Sequence, residues 1–103
     1  MSKVAAIAKL TAADGQRDAL VKVMEQLVDA AEQEAGTEIY VLNLDNQDPN
    51  VIWFYELYSD GDALSAHSKS DTMKAIGGQL GGLVAGAPEL NFLTPHRAKG
   101  VDV

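Results

Sequence analysis

Two titratable residues stand where the surrounding sequence is apolar, and their types suit acid–base chemistry. Glu56 is the only charged residue in Val51–Tyr58, and the period-two alternation of a strand places it on the face of Phe54 and Tyr58. His67 lies on the inward side of the helix predicted to follow. A carboxylate and an imidazole that face one apolar cavity can act as a base and its orienting partner, and burial raises the pKa of such a carboxyl group. The pair is therefore a candidate for proton transfer.

Both residues also allow a structural interpretation. A single histidine near a helix end is more often a hydrogen-bonded buried residue than a catalyst, and an inward carboxylate can simply accept from backbone amides. Four of the six aromatic residues fall within the same predicted strand, where they offer stacking surface to an aromatic ligand. We predict Phe54 and Tyr58 as cavity walls and Tyr40 as a further candidate. Trp53 and Tyr55, on the opposite face, are predicted as core or interface residues.

The elements that must position these residues follow from hydrophobic periodicity. Apolar runs predict strands over 4–10, 38–44, 51–58 and 89–95. Between them we predict a helix from an N-cap at Asp14 to Gly36, a short helix capped by Ser59 and Asp62, and a helix from Ser70 that Pro88 ends. The order β-α-β-β-α-β predicts an α+β, ferredoxin-like fold, in which an antiparallel sheet carries its helices on one face. One domain over 1–103 is expected, with a core over about 3–95 and a loose tail over 97–103.

The strand 51–58 predicts a partner as well as a fold. It is apolar on both faces, with Phe54 on one side and Trp53, Tyr55 and Leu57 on the other. A sheet face open to water alternates apolar with polar residues, and the helices of this fold cover only one face. A second copy of the same sheet is the simplest cover for the other face. We therefore expect a homodimer.

Composition excludes several classes of function. The 103 residues include 8 basic and 15 acidic side chains, for a net charge of −7. Nucleic acid and anionic membrane surfaces are therefore unsuitable partners, because both are bound through clusters of Lys and Arg. The chain has no cysteine and two well-separated histidines, so no metal site is expected. We predict a cytoplasmic protein, since neither a signal peptide nor a membrane span is visible.

The ordered run from Phe54 to His67 resembles the signature of the antibiotic biosynthesis monooxygenase family. Its pattern is an aromatic strand containing Glu, an aromatic two residues on, an acidic turn, Ala-Leu and then His. Four further pieces fit the same pattern, so that the likeness covers about residues 3–95: Glu34-Ala35-Gly36, Tyr40, Asp48-Pro49 and Pro88-Glu89-Leu90.

The resemblance implies a dimeric α+β barrel and, in many members, oxygenation without any cofactor. Such an enzyme removes a proton from an electron-rich phenol, quinol or hydroxyanthrone, and the resulting carbanion reduces dioxygen. On that model His67, helped by Glu56, handles the proton, while Phe54 and Tyr58 line the pocket. The substrate expected is a small aromatic, quinol or hydroxylated polycyclic molecule.

Two alternatives stay open beside this reading. One branch of the family resembles autoinducer-2-degrading proteins, which process a phosphorylated signalling sugar by proton transfer and keep the same Glu and His. A non-catalytic ligand-binding or dimerisation module on the same fold is the other, because ferredoxin-like scaffolds host unrelated functions. Haem degradation is disfavoured, since Gly77 and Ala8 stand where such relatives need histidine and asparagine.

Overall fold

The computed structural model describes residues 2–103, so Met1 of the predicted domain lies outside it. These residues form an α+β, ferredoxin-like fold, as the sequence predicts. The elements in chain order are β1 (Val4–Thr11), α1 (Arg17–Ala31), β2 (Thr37–Leu44), β3 (Val51–Tyr58), α2 (Gly61–Ser68), α3 (Asp71–Gly77) and β4 (Glu89–Leu93).

The sheet places β3 and β1 at its centre, in the order β2-β3-β1-β4, and every neighbouring pair is antiparallel. Within the described chain the sheet is open, with β2 and β4 as its edges, and does not close into a barrel. The register aligns Glu56 of β3 with Tyr40 of β2 on one side and Ala6 of β1 on the other. Glu56 is thereby held near the middle of the sheet.

The main core lies between the sheet and the helices. Leu20, Met24 and Leu27 recur at helical spacing along α1, and all three are buried against Ile52 and Phe54 of β3. Ile76 of α3 closes the same cluster. The helix face of the sheet is therefore the inner face, and the apolar periodicity of both elements specifies it.

Two predicted helix starts are wrong, one by two residues and the other by one. Helix α1 begins at Arg17, because Gly15 adopts a left-handed φ of +75° and prevents the helix from starting directly after Asp14. The Asp14 carboxylate instead accepts from the side-chain amide of Asn50 at 2.9 Å. Helix α2 is capped by Asp60 and not by Ser59: the Asp60 carboxylate accepts from the backbone amide of Ala63 at 2.8 Å.

Two predicted helix ends are also wrong. Helix α1 ends at Ala31, and Gly36 lies beyond it in the turn that leads to β2. Helix α3 begins with the predicted Ser70 cap but ends at Gly77, well before Pro88. Its glycines account for the early end, because each costs about 1 kcal/mol relative to alanine inside a helix. The last strand likewise stops at Leu93, two residues short of the predicted end.

The outer face of the sheet carries exposed apolar side chains. Val41, Tyr55 and Ile7 are cross-strand neighbours there, and Val41 and Tyr55 are 43% and 37% exposed. The tail beyond β4 forms neither helix nor strand, although Lys3 donates to the carbonyl of Asp102 at 2.7 Å. None of the helices in residues 2–103 is long and apolar enough to span a bilayer.

Candidate active site

A cavity of about 230 Å³ opens between the inner face of the sheet and the helices. Its wall is mostly apolar, and its titratable groups belong to three residues, Tyr40, Glu56 and His67. The remaining wall consists of Ala8, Leu10, Met24, Leu27, Phe54, Leu64, Ser68, Met73, Ile76, Gly77, Leu80, Pro88, Leu90 and Phe92. A ligand that fits this wall is largely apolar and meets polar groups on only a small part of its surface.

His67 lies in the last turn of α2, with only 3% of its surface exposed. Its ring packs against Tyr40 and Tyr58, with centroid distances of 4.9 and 5.4 Å. Its Nδ1 is 2.9 Å from Oε1 of Glu34. The ring is thus enclosed by two aromatic side chains and fixed at one nitrogen by a carboxylate.

The second nitrogen of His67 is the one available to a ligand. Among the described residues the ring bonds through Nδ1 only, and no fully buried polar side-chain atom lacks a partner. Nε2 must therefore reach open space, and His67 is part of the cavity wall. A carboxylate at Nδ1 favours the tautomer with its proton on Nδ1, which leaves Nε2 unprotonated and able to accept.

Glu56 is buried, with 6% of its surface exposed. Burial raises its pKa, while the Tyr58 hydroxyl, which donates to its Oε1, and the neighbouring His67 oppose the rise. Burial dominates because a carboxylate without full hydration is costly in an apolar wall. Glu56 therefore holds its proton more tightly than an ordinary glutamic acid does.

Tyr40 presents a neutral phenol to the cavity. Burial first, and then the charges of Glu56 and Glu34, raise its pKa well above the ordinary value for tyrosine. Its ring lies 5.0 Å from that of Phe54, which forms the adjoining wall. No hydrogen bond engages its hydroxyl within the described chain, so this group can donate to a ligand oxygen.

The structure brings the residues predicted from sequence into one place, with two differences. Tyr40, Phe54, Glu56 and His67 line the cavity, whereas Tyr58 lies behind Glu56, fully buried and outside the wall. The hydrogen bonds of Glu56 and His67 do not join the two residues, because Glu56 bonds Tyr58 and His67 bonds Glu34.

Glu34 is the residue that sequence reasoning missed as part of the site. It follows α1 by three residues, in a turn 33 positions before His67, and no periodicity relates the two. The only signal was its place in the Glu34-Ala35-Gly36 triplet, which belongs to the family resemblance but says nothing about contact. The residues the structure describes contain no group of three or more His, Cys, Asp or Glu side chains that could hold a metal ion.

Comparison with known proteins identifies the family of this chain. The family model for antibiotic biosynthesis monooxygenases matches residues 3–78, which include β1, α1, β2, β3 and His67. The chain belongs to the antibiotic biosynthesis monooxygenase family. This family includes monooxygenases, and the part of the chain that carries Glu34, Glu56 and His67 is the part that matches. No curated protein matches the chain.

Solved structures share the fold over nearly the whole length. PA3566 from Pseudomonas aeruginosa is 25% identical, with a TM-score of 0.87 over 94% of this chain and 97% of its own. A protein from Caulobacter crescentus CB15, provisionally named as an antibiotic biosynthesis monooxygenase, is 28% identical, with a TM-score of 0.87 over 93% and 92%. Rv0793 from Mycobacterium tuberculosis is 25% identical, with a TM-score of 0.85 over 94% and 98%.

Proposed function

We propose that this protein is a cofactor-independent monooxygenase that oxidises a small aromatic, quinol or hydroxylated polycyclic substrate with dioxygen. One observation supports the proposal most directly: a histidine in the wall of an apolar cavity has its Nδ1 held by Glu34, which leaves Nε2 for a ligand. Such a cavity suits a planar aromatic molecule, and the polar wall formed by Tyr40, Glu56 and His67 suits the reacting part of that molecule.

The chain's own residues supply the proton handling. Nε2 of His67 accepts a proton from a substrate CH₂ or hydroxyl group, and the Tyr40 hydroxyl donates to the oxygen on which negative charge develops. The electron-rich substrate anion then reduces dioxygen and forms a carbon–oxygen bond. One oxygen atom remains in the product as a carbonyl when a CH₂ group is oxidised, and the other leaves as water with the two hydrogens.

The charges around the cavity favour a neutral substrate. Among the described wall residues there is no Lys or Arg, while Glu56 belongs to the wall and Glu34 lies directly behind His67. A phosphorylated sugar needs cationic or backbone donors for its phosphate, and a nearby carboxylate would repel it. This arrangement supports an aromatic substrate over the phosphorylated signalling sugar of the alternative branch.

We also propose that the protein acts as a cytoplasmic homodimer. The outer-face residues Ile7, Val41 and Tyr55, of which Val41 and Tyr55 are exposed, form a continuous apolar strip across three strands. Pairing two such faces would remove this strip from water, at roughly 25 cal/mol for each Å² of apolar surface buried. Sedimentation at micromolar concentration tests this part, and a monodisperse monomer would contradict it.

Oxygen uptake tests the activity. We expect uptake that depends on an added quinol or hydroxyanthrone, persists with metals chelated and no flavin added, and falls by about 10²- to 10⁴-fold in His67→Ala, the usual contribution of a general base. His96→Ala is the matched control, because His96 lies in the tail beyond β4 and should leave uptake unchanged.

The absence of uptake over a panel of such substrates, from a folded protein, would contradict the oxygenase proposal. Turnover of a phosphorylated sugar under nitrogen would then establish the isomerase. Tight binding of an aromatic without turnover would establish a binding module. Full uptake in His67→Ala would remove His67 from the mechanism.

A further inference from the structure

The turn that follows α1 carries a residue that controls His67. Glu34 accepts at Oε1 from the Thr37 hydroxyl, at 2.7 Å, and the same oxygen lies 2.9 Å from Nδ1 of His67. The side chain of Glu34 is 21% exposed, whereas that of His67 is 3% exposed. The carboxylate is therefore hydrated at one edge and meets the buried ring at the other.

Backbone hydrogen bonds close this turn and join it to the segment that leads into α2. Thr37 donates from its backbone amide to the carbonyl of Glu34 at 3.1 Å, and Ser59 donates to the carbonyl of Gly36 at 2.9 Å. A Cβ atom at Gly36 would lie 2.5 Å from the Cβ of Ala63 in α2, so only glycine permits this approach. The separation between Glu34 and His67 is thus set by packing between the two segments.

Glu34 lies outside the cavity wall, and its contact is with the back of the ring. An ionised carboxylate is an acceptor only, so it favours a proton on Nδ1 and an unprotonated Nε2. Without that carboxylate, neutral imidazole is free to carry its proton on Nε2. Nε2 would then be a donor at the cavity, where the proposed reaction needs an acceptor.

We propose that Glu34 is a positioning residue that fixes the Nδ1–H tautomer of His67 and so presents Nε2 to the cavity as the base. The proposal rests on the proposed function for its role in turnover, but the tautomer itself is a property of the free protein. It assigns the orienting role to Glu34, which the sequence-based reading gave to Glu56.

The tautomer can be measured without any substrate. Multiple-bond ¹⁵N–¹H correlation spectra at about pH 9, well above the ordinary pKa of histidine, distinguish Nδ1–H from Nε2–H. The chain has two histidines, so a His96→Gln variant assigns their signals. We expect the wild-type ring of His67 to be in the Nδ1–H form, and a predominant Nε2–H form there would overturn the proposal.

Two variants test the cause. In Glu34→Gln the amide offers Nδ1 either an acceptor oxygen or a donor nitrogen, so it no longer imposes one tautomer, and in Glu34→Ala the acceptor is gone. We expect the Nε2–H form to appear in both variants and to be more populated in Glu34→Ala. Glu32→Gln, an exposed change in the same turn, should leave the spectrum unchanged. An unaltered tautomer in both Glu34 variants would refute the assignment.

A third variant is a control that disturbs the turn but keeps the carboxylate. Thr37→Val removes the hydroxyl that donates to Glu34 but leaves the carboxylate, so the Nδ1–H form should remain predominant. A switch to Nε2–H in Thr37→Val would show that the carboxylate alone does not hold the tautomer. The wild-type spectrum stays decisive even if the Glu34 variants fail to fold.

Turnover provides a separate readout. If oxygen uptake is established, Glu34→Gln should lower kcat at least about 10-fold and leave KM nearly unchanged, because Glu34 does not line the cavity. A rise in KM with kcat unchanged would contradict the positioning role. Failure of uptake in wild-type protein would refute the proposed function and leave the tautomer result intact.

Discussion

At the scale of single residues, the site contains two carboxyl groups in unlike environments. Glu34 is partly exposed and lies beside Nδ1 of His67, whereas Glu56 is buried and accepts from Tyr58. Burial raises the pKa of Glu56. A carboxyl group with a raised pKa keeps its proton to higher pH and can donate it there. Glu56 is then suited to return a proton to a reduced oxygen species at the cavity.

The raised pKa of Glu56 predicts a pH-dependent stability difference. A carboxyl group with a folded pKa above its ordinary value of 4.5 binds protons more tightly in the folded state, so the free energy of unfolding falls as pH rises from about 4.5 to the folded pKa. The loss is about 1.4 kcal/mol for each pH unit in that window. Glu56→Gln does not titrate and should gain stability relative to wild type between pH 4 and pH 8.

Urea unfolding at both pH values measures this difference. Glu25→Gln, an exposed substitution on α1, is the control and should show a much smaller change. A stability gap between wild type and Glu56→Gln that does not move with pH would contradict a raised pKa.

Tyr58 supports Glu56 from behind the cavity. In Tyr58→Phe the buried carboxyl group loses its donor, and the pKa of Glu56 should rise further because that hydrogen bond opposes the rise. We expect a loss of about 1–3 kcal/mol in the free energy of unfolding, the usual cost of an unpaired buried polar group. Tyr55→Phe on the outer face should cost much less. A loss of stability of similar size in both variants would show that the Tyr58 hydroxyl does not stabilise Glu56.

At the scale of elements, the site depends on contacts between segments that are far apart in sequence. Helix α2 carries His67, the turn after α1 carries Glu34, and β3 with β2 supplies Glu56 and Tyr40. The Asp60 cap fixes the start of α2, and Gly36 allows the turn to approach it. The short α3 leaves residues 78–88 to complete the wall with Leu80 and Pro88.

The contact at Gly36 predicts a specific steric coupling. Gly36→Ala places a methyl group 2.5 Å from the Cβ of Ala63, and such overpacking costs about 1–3 kcal/mol. Adding Ala63→Gly removes the clashing atom and should recover part of the loss, although glycine inside a helix costs about 1 kcal/mol itself. Thermal or urea unfolding of the two single variants and the double variant gives the coupling free energy between the two positions.

Gly61→Ala is the matched control, since a Cβ atom there meets nothing within 4 Å. We expect it to be neutral or slightly stabilising. Additive losses in the Gly36 and Ala63 variants would show that the two sites do not clash.

At the scale of the whole molecule, the proposed dimer follows from the two unlike faces of one open sheet. The inner face is covered by helices and contains the cavity, while the outer face presents Val41 and Tyr55 to water in the single chain. A net charge of −7 opposes association, so an apolar surface must outweigh the repulsion between two copies.

Val41→Lys tests that surface directly. Val41 is 43% exposed in the single chain, so the lysine is tolerated there but would be buried unpaired in the proposed dimer. We expect the dimer dissociation constant to rise at least about 10-fold, equivalent to 1.4 kcal/mol, in sedimentation experiments. Leu44→Lys, at the exposed end of β2 on the inner face, should leave association unchanged. Equal association in both variants would exclude the outer face as the interface.

The sequence by itself determined the order of the elements and four residues of the cavity wall. The period of two along Val51–Tyr58 specifies which residues share a strand face, and the spacing of Leu20, Met24 and Leu27 specifies the buried face of α1, because these periods are local properties of strands and helices. Glu56 and His67 could be found in this way because an apolar face carries few polar residues, and Phe54 because it shares the strand face of Glu56. Tyr40 was a candidate whose face the sequence did not specify. Caps and helix ends were less predictable, since the left-handed backbone of Gly15 delays the start of α1 and the glycines from Gly77 onward disfavour a longer α3.

The tertiary structure alone decided the partners of the titratable groups. Glu34 reaches His67 across 33 residues, and Tyr58 turns its hydroxyl to Glu56 instead of to the cavity. Local periodicity predicts which face a side chain is on, but it does not predict which of several inward polar groups will form hydrogen bonds with one another. That choice depends on how closely the turn at Gly36 packs against α2, a distance that exists only once both segments lie on the same sheet.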